Sequence, residues 1–262
     1  MGTSSYILEA PILPNIRFLG HYLDEVELVL FQSQEEQNLP TKGEIREMAW
    51  LARDLDLKYN VHLPTDVFLA DPDSKVRAAS VDTLLRFHER TLPLVPTVYV
   101  LHLETRSTKG EKIRDPEAWS DRIASSLDEL WKGGMQPTMV AVENLDYPPS
   151  QLSELVRKNN MWYCVDVGHL VRYSIQVEKE LDHCMHRCAM IHLHGVSGEV
   201  DHQSLDLLPP PLWENLWKRL WDFKGGLSIE VFSLKDLVSS LQRVHGWMES
   251  CRIAAKGNWY EP

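Results

Sequence analysis

The chain is poor in cysteine and in basic residues, and both shortages limit what it can be. Its 262 residues include 4 cysteines without a CxxC pair, so no disulfide framework is indicated and we expect every cysteine to be reduced. Lys and Arg number 27 against 38 Asp and Glu, for a net charge of −11. Nonspecific nucleic-acid binding relies on basic side chains that neutralise phosphates, so this balance argues against a nucleic-acid partner.

Long apolar runs and linkers are also missing. No run approaches the roughly 18 apolar residues that a membrane span needs, and the first residues lack the basic and apolar regions of a secretion signal. We therefore expect a cytoplasmic protein with a small-molecule substrate and no membrane contact. The sequence has no low-complexity or Gly/Ser-rich stretch, which predicts a single domain over residues 1–262.

What the sequence does have is an alternation of short apolar runs with helical patterns. Eight runs rich in Val, Ile and Tyr read as buried parallel strands: residues 3–7, 24–31, 58–63, 97–103, 138–144, 161–166, 188–194 and 227–232. The helices between them begin at clear caps, such as the capping box from Thr41 to Glu44 and Asp115 before Pro116. This order predicts a (β/α)8 TIM barrel. An open doubly wound sheet is the alternative, but no Gly-rich phosphate loop follows the first strand.

Acidic residues and histidines recur at the C-terminal ends of these runs. The positions are His62, His102, Glu143, Asp166, His192 and Glu230, with His169 one turn after Asp166. Buried strands rarely carry such groups unless they are paired or bind a metal, because an uncompensated buried charge costs on the order of several kcal/mol. A TIM barrel also places its chemistry at this end. The mixture of imidazole and carboxylate predicts a divalent transition metal: Zn, Mn, Fe or Co.

Other residues near these ends have less certain roles. His194 lies two residues after the histidine of the seventh run and points the same way, so substrate contact and metal ligation are both open. His202, in the next loop, is predicted to be a metal ligand. Asn144 and Asp146 lie on the predicted active face, where they either contact the substrate or shape the loop. Glu27, inside the second run, is expected to face the barrel interior.

Over essentially the whole chain these residues resemble the xylose isomerase-like TIM barrels. That superfamily includes sugar-phosphate isomerases and epimerases, and also endonuclease IV-type phosphodiesterases with up to three metal ions. Matched to the latter, the resemblance implies one ion at His62, His102 and Glu143, a second bridged by Glu143 and held by Asp166, His192 and Glu230, and a third at His169 and His202. The third site of that family also uses an Asp where this chain has Val200, so two or three ions are implied.

More narrowly, residues 2–7, 12–17, 24–31 and 61–64 resemble the cobamide-remodelling phosphodiesterases. This implies a metal-dependent hydrolase that cleaves the phosphodiester of the nucleotide loop in B12-type corrinoids and releases cobinamide for salvage. Its catalytic residues would be Glu143, Asp166 and Glu230, with Asn144, Asp146 and His194 binding the substrate. The presence of both His62 and His102 favours this reading.

Two alternatives remain open at this point. The first is a sugar or sugar-phosphate isomerase or epimerase with one divalent metal, in which Glu143 and Glu230 exchange a proton next to a carbonyl. The second is a corrinoid- or metal-binding protein without turnover. The alternatives differ in whether a proton at carbon exchanges and in whether any reaction occurs at all.

Overall fold

A closed barrel forms the centre of the molecule. The computed structural model describes residues 1–32, 38–106 and 115–257, with residues 251–257 described for their backbone only. The strands that close the ring are β1 (Gly2–Ser4), β2 (Glu25–Val29), β3 (Lys58–His62), β4 (Tyr99–Leu101), β5 (Val140–Glu143), β6 (Trp162–Asp166), β7 (Cys188–Leu193) and β10 (Gly226–Ile229). All neighbouring pairs are parallel, and β1 pairs with both β2 and β10. Closure excludes the open sheet and confirms the predicted TIM barrel.

Helices surround the barrel. They are α1 (Ile12–Leu19), α2 (Lys42–Asp54), α3 (Ser74–Thr91), α4 (Pro116–Lys132), α5 (Ser153–Asn159), α6 (Val167–Arg172), α7 (Val177–Cys184), α8 (Pro210–Leu220) and α9 (Leu234–Gly257). The predicted capping box forms, since Thr41 Oγ1 accepts from the Glu44 N–H and the Glu44 carboxylate accepts from the Thr41 N–H. Asp115 caps α4 as predicted, with Pro116 at the first helical position. None of the described helices combines the length and the apolar character that crossing a membrane requires.

The two faces of each strand pack differently. Outward side chains such as Val26, Leu28 and Val61 join the large apolar core shared with the helices. Inside the barrel, a separate apolar cluster lies on one side and consists of Val98, Val100, Ala141, Cys164 and Met190. On the opposite side the buried interior residues are polar: Glu27, Asn60 and Ser228. Beneath the C-terminal strand ends, the barrel interior is therefore apolar on the β4 to β7 side and polar on the β10 to β3 side.

Several local features differ from the expectation. The first strand ends at Ser4 rather than at residue 7, and α1 occupies a segment that carried no predicted helix. An antiparallel hairpin of β8 (Gly195–Ser197) and β9 (Val200–Gln203) follows β7. These elements are too short for a hydrophobic period to reveal them. Three cysteines are free and buried, namely Cys164, Cys184 and Cys188, and the side chain of Cys251 lies outside the described residues.

Candidate metal centre

The structure brings the predicted strand-end residues together at the C-terminal mouth of the barrel. A cavity of about 410 Å³ opens there, and its lining includes His62, His102, Glu143, His169, His202 and Glu230. Asp166, His192 and His194 are fully buried next to it. Most of these side chains come from the C-terminal end of a parallel strand or from the residue directly after it, and these strand ends meet at the same rim. His169 comes from α6, and His202 from β9.

Four of these residues form a compact group: Glu143, Asp166, His192 and Glu230. Each offers one ligand atom, and these atoms lie within 4.8 Å of one another. His192 Nδ1 is 3.0 Å from Glu230 Oε2 and 3.4 Å from Glu143 Oε1. Yet His192 Nδ1 and Glu230 Oε2 have no hydrogen-bond partner among the described residues. Buried polar atoms normally have hydrogen-bond partners. Two potential ligand atoms that lack partners and lie close together therefore fit a metal ion between them.

A second group centres on the other oxygen of Glu143. The Nε2 atoms of His62 and His102 lie 3.0 Å and 2.9 Å from Glu143 Oε2. The Nδ1 atom of His62 is 3.0 Å from the carbonyl oxygen of Leu63 and can donate to it. The two imidazoles therefore converge on one carboxylate oxygen, where they either share a metal ion with Glu143 or hold its carboxylate by hydrogen bonds.

A third group surrounds the other side of Asp166. His194 Nδ1 lies 3.0 Å from the His202 backbone N–H and 3.2 Å from the Gly195 carbonyl oxygen, and it accepts from the His202 N–H in the tautomer that carries the proton on Nε2. That Nε2 lies 3.1 Å from Asp166 Oδ1 and donates to the carboxylate. His169, His194, His202 and Asp166 also offer ligand atoms within 4.8 Å of one another. In this arrangement His194 supports Asp166.

Asn144 and Asp146, the two remaining residues predicted for the site, have surroundings different from those of the three groups. Asn144 is buried, and its amide bridges β5 and β6, donating to the Asp166 carbonyl at 3.0 Å and accepting from the Asp166 N–H at 2.9 Å. Asp146 lines another cavity, together with Trp119 and Gln151. Substrate contact by Asn144 and Asp146 stays a prediction, and the structure shows that Asn144 fixes the backbone on which Asp166 sits.

One residue of the site received no role from the sequence. Glu27 is fully buried in the barrel interior, and its Oε2 lies 3.3 Å from Nε2 of His192. The available signal was a carboxylate in the middle of an apolar strand. Sequence alone placed it in the interior but did not indicate which side chain it meets.

Charge in the cluster is divided between carboxylates and imidazoles. Burial raises the pKa of Glu143, but the positive charges of His192 and His102 outweigh this and hold the pKa well below its usual range. Burial lowers the pKa of His62, but its hydrogen bond to Glu143 and nearby carboxylates raise the pKa to about 9. Without a cation, protonated imidazoles therefore neutralise the ionised carboxylates. An ion that binds here would displace those protons.

Gly168, in α6, touches the cluster directly. A Cβ at this position would lie 2.0 Å from Cε1 of His194. We expect Gly168→Ala to lower the free energy of unfolding by about 1–3 kcal/mol, because the imidazole and the carboxylate beneath it must shift. Urea unfolding measures this change. The control is Gly246→Ala at an exposed position of α9, where a Cβ meets nothing within 4 Å and about 0.5–1 kcal/mol of stabilisation is expected. Equal effects at both glycines would contradict the packing argument.

A closed barrel with buried carboxylates and imidazoles at its C-terminal mouth belongs to the class of TIM barrels that can bind a metal ion there. The chain is a member of the xylose isomerase-like TIM barrel family, whose model matches residues 19–254. No curated protein matches it.

Solved structures with the same fold include several sugar epimerases. A D-tagatose 3-epimerase-like protein is similar with a TM-score of 0.79 and 19% identity, covering 97% of this chain and 98% of that chain. For D-psicose 3-epimerase from Clostridium cellulolyticum H10 the TM-score is 0.67 at 14% identity, with 88% and 84% covered. For a 3-keto-D-glucoside 4-epimerase from E. coli it is 0.64 at 15% identity, with 95% and 98% covered.

These comparisons correct the predicted activity. The prediction of a hydrolase that cleaves a cobamide phosphodiester is wrong, because the similar structures are sugar epimerases and isomerases rather than phosphodiesterases. The prediction depended on reading His62 and His102 as a sign of phosphoester chemistry. In the structure both rings lie against one oxygen of Glu143, an arrangement that does not require a phosphoester substrate. The predicted corrinoid substrate depended on that hydrolase activity, and the comparisons do not support it.

Proposed function

We propose that this protein is a divalent-metal-dependent sugar epimerase or isomerase that moves a proton at a carbon next to a carbonyl. The observation that carries the proposal is the buried group of Glu143, Asp166, His192 and Glu230 at the barrel mouth. Both glutamates of this group line the same small cavity. The family membership and the epimerases among the similar structures support this reading.

The donor set suits one divalent transition ion. Carboxylates and an imidazole together favour Mn, Co or Zn, and the four buried residues would hold the ion. When bound, the ion would polarise the carbonyl of the substrate as a Lewis acid. His62, His102 and His194 would then hold the liganding carboxylates in place, since their rings contact Glu143 and Asp166.

Glu143 and Glu230 are the proposed acid–base pair. Both are kept ionised: burial opposes their charge, but the neighbouring histidines hold the pKa of each well below the usual range. One carboxylate takes the proton from the carbon next to the carbonyl, leaving an enediolate. Protonation of the opposite face by the second glutamate, which first takes up a proton from solvent, inverts that carbon. Return of the proton by the first glutamate to the neighbouring carbon, with the hydroxyl proton passing to the former carbonyl oxygen, isomerises the sugar.

The cavity favours a small, uncharged substrate. Its volume of about 410 Å³ lies within the range typical of small-molecule sites. The described lining residues include no Lys or Arg, the side chains that usually hold a phosphate. We therefore propose a free sugar or a glycoside rather than a sugar phosphate. We also propose one domain over the whole chain and a cytoplasmic location.

Deuterium exchange tests the reaction directly. Protein loaded with Mn²⁺, Co²⁺ or Zn²⁺ is incubated in D₂O with ketohexoses, aldohexoses and methyl 3-ketoglucoside, and the products are analysed by NMR. We expect deuterium at a carbon next to the carbonyl, together with a new epimer or isomer. Chelator-treated protein is the control. Absence of exchange from every sugar with every metal would refute the proposed function.

A further inference from the structure

The proposed reaction leaves one buried carboxylate unused. Glu27, on β2, is fully buried in the polar half of the barrel interior. Neither of its carboxylate oxygens has a hydrogen-bond partner among the described residues. Across the β2–β3 register it faces Asn60, which is neutral and therefore does not balance its charge. A carboxylate in such a place costs several kcal/mol, roughly, unless a cation or a strong donor is near.

His192 provides that donor. Its Nδ1 faces Glu143 and Glu230, the direction of the proposed metal centre. An imidazole that ligates through Nδ1 keeps its proton on Nε2. This Nε2 is fully buried, lacks a hydrogen-bond partner among the described residues and lies 3.3 Å from Glu27 Oε2. Glu27 thus lies on the other side of the ring from Glu143 and Glu230, which would hold the ion.

We propose that Glu27 is a positioning residue for the metal centre. It accepts the Nε2–H of His192, fixes the tautomer that directs the Nδ1 lone pair at the ion, and makes that lone pair a stronger donor. Outer carboxylates of this kind typically change metal affinity 10- to 100-fold. The inference rests on the metal centre of the proposed function but not on its sugar reaction.

Metal titration of variants tests the proposal. We expect Glu27→Gln to bind Mn²⁺ about 10- to 100-fold more weakly by calorimetry, still with one equivalent, because an amide is a weaker acceptor than a carboxylate. Glu27→Asp retains the charge and is expected to lose less affinity than Glu27→Gln. The matched control is Glu25→Gln, two residues earlier on the same side of β2, where Glu25 accepts from Thr97 at 2.6 Å. This control should bind Mn²⁺ as the wild type does.

A spectroscopic readout separates positioning from general stability. In Zn²⁺-loaded protein with ¹⁵N-labelled histidine, long-range ¹H–¹⁵N correlation should show the His192 proton on Nε2, with its resonance shifted in Glu27→Gln but not in Glu25→Gln. Unchanged Mn²⁺ affinity in Glu27→Gln would overturn the proposal. So would a second Mn²⁺ equivalent in the wild type that this variant loses, since Glu27 would then be a ligand itself. A Glu27-dependent metal centre without deuterium exchange would refute the sugar reaction and leave this inference supported.

Discussion

The substitution Glu230→Gln is expected to slow deuterium incorporation by about 10²–10⁴-fold at saturating metal, because this is the usual contribution of a general acid or base. Glu230 lines the cavity, and the neighbouring histidines hold the pKa of its carboxyl group well below the usual range, so the group is a carboxylate in the resting protein. An amide in its place cannot take a proton from carbon. Glu143→Gln should act in the same way. The rate of exchange is followed by NMR in D₂O at several Mn²⁺ concentrations.

Metal loading must be separated from proton transfer in this experiment. Both glutamates are also proposed ligands, so metal content is measured on the same samples, and the comparison is made where each variant is fully loaded. The control is Glu180→Gln, because Glu180 is a buried glutamate outside the site that accepts from the Ser150 N–H. A fully loaded Glu230→Gln variant with wild-type exchange would remove Glu230 from the acid–base pair.

Addition of Mn²⁺ to chelator-treated protein is expected to raise the thermal unfolding midpoint by roughly 5–10 °C. A ligand at 100 times its Kd stabilises the folded state by about 2.7 kcal/mol, and each kcal/mol shifts the midpoint by about 2–4 °C in a domain of similar size. His192→Ala should cancel the shift, because this ring contributes a proposed ligand to the ion and lies against both carboxylates. Differential scanning calorimetry measures the unfolding midpoint of the wild type and of His192→Ala, each with and without Mn²⁺.

A histidine away from the barrel mouth serves as the control. His183 lies on α7, where its Nε2 is 2.8 Å from Ser153 Oγ, and His183→Ala should keep the Mn²⁺ shift. Should Mn²⁺, Co²⁺ and Zn²⁺ all leave the midpoint of the wild type unchanged, the barrel mouth would not be a metal centre.

The fold was predictable because its signal is local. The strand runs, the capping box at Thr41 and the Asp115–Pro116 start of α4 each follow from neighbouring residues, and the barrel follows from their order. The strand-end residues were predictable for a related reason: a parallel barrel brings every C-terminal strand end to one rim, whichever side chains pack elsewhere.

The pairings within the site were not predictable. The contact of Glu27 with His192, and the convergence of His62 and His102 on one oxygen of Glu143, depend on barrel register and side-chain rotamers that a single sequence does not specify. The reaction was mispredicted for a broader reason. One fold with one type of ligand set supports different chemistries, so ligand identities at strand ends do not by themselves select the bond that is broken.

The β8–β9 hairpin controls the site through its main chain. The amide of His202 donates to His194 Nδ1, and the opposite ring nitrogen donates to Asp166. The backbone amide of His202 and the carboxylate of Asp166 therefore favour the same tautomer of His194, the one with its proton on Nε2. The side chain of His202 is not needed for this contact, so a substitution there can change the lining of the cavity while Asp166 keeps its donor, provided that the hairpin retains its shape. Variation at this position of the loop can alter the rim of the cavity without removing the hydrogen bond between His194 and Asp166.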